Sequence, residues 1–119
     1  MAISADSYFR ILPGGSDTNG GGYIDGQTDY TDQDSAQLSV TDAACSATTT
    51  LTSATGGFTS AMVGSILYLS SGPNWYEITA YTDTNTVTID RAGPNATGMT
   101  CNVGGALATP GGFGAVALP

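Results

Sequence analysis

The side chains able to do chemistry are few. Nine Asp, Glu77, Cys45 and Cys101 make up the set; His and Lys are absent, and the only bases are Arg10 and Arg91. The commonest general base and the amine nucleophile are therefore missing. A cysteine nucleophile lacks its histidine partner, and two thiols alone do not complete a tetrahedral zinc site. A carboxylate pair remains, as in glycoside hydrolysis. Glu77 with Asp90 or Asp83 is the pairing open to this chain, and Trp75 and Tyr81 beside Glu77 would suit a sugar. An exposed sheet face with ordinary strand aromatics explains the same residues, and a chain of this size offers little room for a cleft. The balance favours a protein that is not an enzyme and carries no cofactor.

Asp25, Asp29, Asp32 and Asp34 cluster between Tyr23 and Asp34. Clustered carboxylates can supply the oxygens that Ca²⁺ takes, but this spacing does not fit an EF-hand loop. A solvated acidic loop with Asx turns is the plainer reading, and no essential metal is expected. Cys45 and Cys101 could close one long loop as a disulfide, or be two small buried residues; both readings stand. Gly14 to Gly22 reads as a flexible loop. A phosphate cradle there would need a following helix and a Lys, and neither is visible.

Charge excludes other classes. The formal net charge is −8. Two arginines far apart in sequence cannot make the basic stripe that phosphate neutralisation requires, so no nucleic-acid partner is expected. Anionic membranes repel such a chain. No stretch approaches the roughly 20 apolar residues of a membrane span. Met1 to Pro13 lacks a basic region followed by an apolar run, so cytoplasmic synthesis is expected.

The elements that position these residues centre on Phe58 to Arg91. Phe58 to Gly64 reads as one helical turn, capped by Thr59 or Ser60 and ended by a left-handed Gly64. Ser65 to Leu69 is nearly all apolar and too short for a helix, which predicts a strand covered on both faces. Ser70 to Asn74 is turn chemistry. Trp75 to Tyr81 and Thr86 to Asp90 alternate with period two, and Thr82 to Asn85 between them predicts a hairpin. Tyr76, Ile78 and Ala80 should share one face; Trp75, Glu77, Thr79 and Tyr81 the other. Val87 and Ile89 should face inward, with Ile66, Leu67, Leu69 and Ile78 completing the core.

Shorter strands are expected at Tyr8 to Leu12, Gln37 to Val40, Thr48 to Thr52 and Met99 to Val103, with a loop at Ala92 to Gly98. Gly makes up 17 of 119 residues, about twice its usual share of about 7%. No helical periodicity extends over ten residues. The fold class expected is all-β: a small antiparallel β-sandwich or barrel with one short helical turn and extended Gly-rich termini. The expected division is an N-terminal arm over 1–26, a β domain over 27–103 and a C-terminal arm over 104–119. Both arms are too glycine-rich to order themselves alone. They carry Tyr8, Phe9, Ile11, Leu107, Phe113 and Leu118, which a partner could bury.

GSDTNGGGY (15–23), TDYTDQDSAQ (28–37) and FTSAMVGSILYL followed by WYEITAYTDTNTVTIDR carry a resemblance. The chain resembles a module of tailed-phage virion proteins, one that in larger relatives lies ahead of a β-helix of the tailspike or pectate-lyase type. The match runs across most of Gly15 to Ala108. The resemblance implies a structural virion protein. A capsid decoration or cement protein is the first expectation, with the major capsid protein and copies of itself, as a trimer or other symmetric cluster, for partners. A tail or neck adaptor or spike base is the alternative. A carbohydrate-binding module using Trp75, Tyr76 and Tyr81 is a third reading, from the residues alone.

Overall fold

The computed structural model describes residues 7–9, 14–24, 36–71 and 74–108. Among these residues eight strands follow one another: β1 (Ser7–Phe9), β2 (Gly22–Ile24), β3 (Leu38–Ser46), β4 (Thr50–Ser53), β5 (Ile66–Leu69), β6 (Asn74–Asp83), β7 (Thr86–Ile89) and β8 (Asn95–Val103). A single 3-10 turn, Ser60–Met62, joins β4 to β5. β1 and β2 form a two-stranded ribbon. The other six close into a barrel in the order β3-β4-β7-β6-β5-β8, antiparallel at every pairing. The all-β expectation resolves to a barrel and not a sandwich. β5, β6 and β7 run as a meander, and β8 returns beside β5, which is the Greek-key order. β3 then bridges β8 and β4 and closes the ring.

Alternation fills the interior. Val40, Ala43, Leu51, Leu67, Leu69, Tyr76, Ile78, Val87, Ile89, Met99, Cys101 and Val103 meet in one buried cluster. All six residues expected in the core from β5, β6 and β7 are at most 1% exposed. Phe58 and Met62, from the β4–β5 connection, join the cluster. Gly64 has φ 94°, the left-handed value its place after the turn called for. The expected side-chain cap is not made: the Thr59 side chain does not bond to the turn, and its main-chain carbonyl accepts from Met62 N at 3.1 Å. A three-residue turn has few orphan amides, and packing of Met62 holds it instead.

Three expectations need correction. β3 extends to Ser46 and β8 begins at Asn95, so Asn95 to Gly98 is strand and not loop. Pairing along the β3–β8 ladder, with two register shifts, carries these polar stretches into the sheet. In β6 the register slips between Ile78 and Ala80. A bulge there turns Ala80 out with Thr79 and Tyr81, so all three are exposed. Glu77 lies buried, at 4% exposure, and not on a solvated face.

Cys45 and Cys101 are both free and buried. The register separates them, because Val40 faces Cys101 while Cys45 faces Ala96. Five strand positions at about 3.4 Å each put them roughly 17 Å apart along the ladder. A disulfide needs Cα atoms within about 7 Å. Burial pushes the Cys101 thiol up from 9.0 to about 12. The sign of the resulting pH dependence is fixed. The unfolded chain loses this proton near its ordinary value, while the folded chain keeps it. Stability is full below pH 9.0 and falls as pH rises toward about 12. Cys101→Val should flatten that decline by up to about 1.4 kcal/mol per pH unit, seen in urea midpoints across the window. Tyr76, raised chiefly by burial, contributes a decline of the same sign that the variant keeps.

Candidate functional site

The outer face of β5 and β6 should be wet in a bare barrel, yet it is not. Ile66 and Trp75 point outward there and are 0% and 4% exposed. Leu107, also 0% exposed, packs on them, and Tyr68 meets Trp75 edge-on at 5.3 Å. The cover is a strap built from two glycine-rich segments. Ser16 N donates to Ala106 O at 2.9 Å, Gly20 N to Gly104 O at 2.8 Å and Gly21 N to Gly105 O at 2.9 Å. Gly104 N donates to Ile66 O at 3.0 Å and ties the strap to β5. Gly20 has to be glycine, since a Cβ there would overlap Ile66 O.

Polar side chains lock the strap to the sheet. Asn19 Nδ2 donates to Ala106 O at 2.9 Å. Trp75 Nε1 donates to Asn19 O at 2.9 Å. Asn102 Nδ2 donates to Thr18 O at 2.8 Å, while its Oδ1 accepts from Ser39 Oγ at 2.6 Å. Asp17 Oδ1 accepts from Ala108 N at 3.1 Å. The stretch read as a flexible loop, Gly14 to Gly22, is therefore packed backbone from Gly15 to Gly21. Residues 15–21 and 104–108, at the ends of the expected arms, pack on the barrel. Leu107, offered above to a partner, is enclosed by its own chain.

Tyr8 and Phe9 lie in β1, whose side chains fall outside the described residues together with Ile11, Phe113 and Leu118. The carboxylates Asp25, Asp29, Asp32 and Asp34 lie outside them as well. Among the described residues no group of three or more His, Cys, Asp or Glu could hold a metal ion.

Asp90 and Asp83, two of the carboxylates weighed for glycoside chemistry, are held for structure. Asp90 Oδ1 accepts from Glu77 N at 2.6 Å, and its Oδ2 pairs with Arg91 Nη1 at 2.8 Å. Arg91 Nη2 donates to Trp75 O at 2.6 Å, and its guanidinium lies 4.3 Å from the Tyr76 ring centre. This cluster ties the end of β7 to the start of β6. Asp83 Oδ1 accepts from Asn85 N at 2.8 Å and closes the hairpin turn at the far end of β6. Asp42 accepts from Ser53 Oγ, Thr55 Oγ1 and Thr55 N. Those bonds hold its carboxyl below the usual aspartate value, the Ser53 bond most.

Trp75 and Tyr76 are 4% and 5% exposed, so neither offers a face to a sugar; Tyr81 is exposed. A shallow concavity of about 340 Å³ opens where β3 and β4 part. It is lined by Ala44, Cys45, Ser46, Thr48, Thr50, Thr52, Asn95, Ala96 and Thr97, with no charged group. The strap is the site that residue-by-residue reading missed. Its signal was available: an apolar run needing cover on both faces, and two glycine-rich stretches able to approach a backbone closely. No protein-family model, no curated protein and no solved structure matches the chain.

Proposed function

We propose that this protein is a non-enzymatic structural component of a phage virion. Its first form is a capsid decoration or cement protein that contacts the major capsid protein and copies of itself. The observation that carries the structural role is the commitment of polar groups. Asp42, Asp83, Asp90 and Arg91 each bond within the fold, and the barrel interior is filled by side chains. Such a body is suited to bearing load and poorly suited to turnover. The virion assignment rests on the resemblance at 15–23, 28–37, 58–69 and 75–91. A tail or neck component is the second reading, on the same resemblance. The buried state of Trp75 and Tyr76 weighs against the carbohydrate-binding reading.

The partner contacts proposed here are Tyr8, Phe9, Ile11, Phe113 and Leu118. Leu107 is withdrawn because it is consumed by the strap. A chain ending at Ala108 keeps every strap bond described above. It should fold like the full chain yet fail to decorate capsids lacking this protein, measured by co-sedimentation. Equal decoration by both would remove the C-terminal anchor. The full chain should occur in many copies per particle. A few copies would move the assignment to the tail, and no association with particles would end the virion reading.

A further inference from the structure

Asn19-Gly20 is the one Asn-Gly pair in the sequence. It sits at the centre of the strap. Glycine offers the least steric hindrance to attack by its own amide on the preceding side chain, so Asn-Gly is the dipeptide most prone to lose ammonia. In this fold the leaving nitrogen and the attacking nitrogen are each held in a hydrogen bond of the strap. Asn19 Nδ2 donates to Ala106 O, and the Gly20 N–H donates to Gly104 O. The Asn19 carbonyl accepts from Trp75 Nε1, and the residue is 5% exposed.

We propose that Asn19 is a deamidation site gated by the strap, and that its conversion makes strap opening irreversible. When the strap opens, Gly20 N bonds to Asn19 Cγ and the Cγ–Nδ2 bond breaks. Nδ2 leaves as ammonia and takes up the proton shed by Gly20 N. Water then opens the cyclic imide at either carbonyl, giving aspartate or isoaspartate. No oxidant or reductant is involved. Neither product re-fits. Aspartate sets a carboxylate against Ala106 O, where an amide donated, and Ala106 is fully buried. Isoaspartate also lengthens the main chain by one methylene, beside Gly20, which already lies too close to Ile66 O to carry a Cβ.

The test uses the full chain and its single tryptophan, Trp75, as reporter. Protein is held at mildly alkaline pH, with and without denaturing urea, and Asn19 conversion is followed by peptide mass mapping. Conversion should be about tenfold or more slower in the native protein, since only opened molecules react. Trp75→Phe removes the bond to the Asn19 carbonyl and should speed native conversion while Cys101 stays protected from thiol reagent. Asn19→Asp should red-shift Trp75 emission with the same thiol protection. Equal rates with and without urea would overturn the gating. An Asn19→Asp protein with native Trp75 emission would overturn the irreversibility.

Discussion

A chain ending at Val103 should lose more than about 4 kcal/mol against one ending at Ala108. Leu107 alone is a buried leucine, whose removal costs about 2–5 kcal/mol. Four main-chain bonds join Gly104 to Ala106 with Ser16, Gly20, Gly21 and Ile66, and a fifth comes from Asn19. Each contributes about 0.5–1.5 kcal/mol. Their loss also leaves Ile66 and Trp75 facing water. Domains of this class hold about 5–15 kcal/mol in total, so a large share is at stake. The comparison isolates residues 104–108, because 109–119 are missing from both chains. Urea unfolding measures the difference, and Trp75 emission should be red-shifted in the shorter chain before any urea is added. Matching midpoints would show that the strap covers the barrel without stabilising it.

Ile78→Ala should destabilise the barrel by about 2–5 kcal/mol. Ile78 is 0% exposed and sits opposite Ile89 at the last regular pair before the β6 bulge. Its N–H and C=O are both tied to the segment before β5: Ile78 N donates to Ser65 O at 3.0 Å, and Gly64 N donates to Ile78 O at 2.8 Å. That pinning limits collapse of the site around a cavity, which favours the upper part of the range. The neighbouring Thr79→Ala, on an exposed side chain, should stay within about 0.5 kcal/mol. The midpoint in urea should move with its slope unchanged. A loss below about 0.5 kcal/mol for Ile78→Ala would reverse the assignment of faces.

The fold was legible where periodicity was strong. Val87 and Ile89 alternate with threonine, and Ser65 to Leu69 is a run of apolar residues; both readings match the buried positions. Polar strands were harder. Asp42 to Ser46 and Asn95 to Gly98 carry little hydrophobic signal, because long-range pairing and not local preference makes them strand. The bulge that turns Ala80 outward depends on register with Thr88, a relation no local window contains. The strap was hidden for a similar reason. Glycine lowers local order, and only the meeting of 15–21 with 104–107 reveals what close approach makes of it. The aromatic residues misled in the opposite direction, since Trp75 and Tyr76 look like ligand platforms and are packed away.

The ring closes between β3 and β8, and the strap bonds Asn19 to Ala106 and Thr18 to Asn102, partners 87 and 84 residues apart. A topology of this kind has a high contact order. Its loops must be closed before their contacts return any free energy, so folding belongs to the milliseconds-to-seconds range of small β proteins. Local nucleation can form the β6–β7 hairpin early, because its turn spans two residues. β3 cannot find its β8 edge until the chain as far as Val103 has been made. During synthesis, therefore, the strand from Leu38 to Ser46 waits as an open edge, and the speed of barrel closure governs how long each new chain is exposed to pairing with its neighbours.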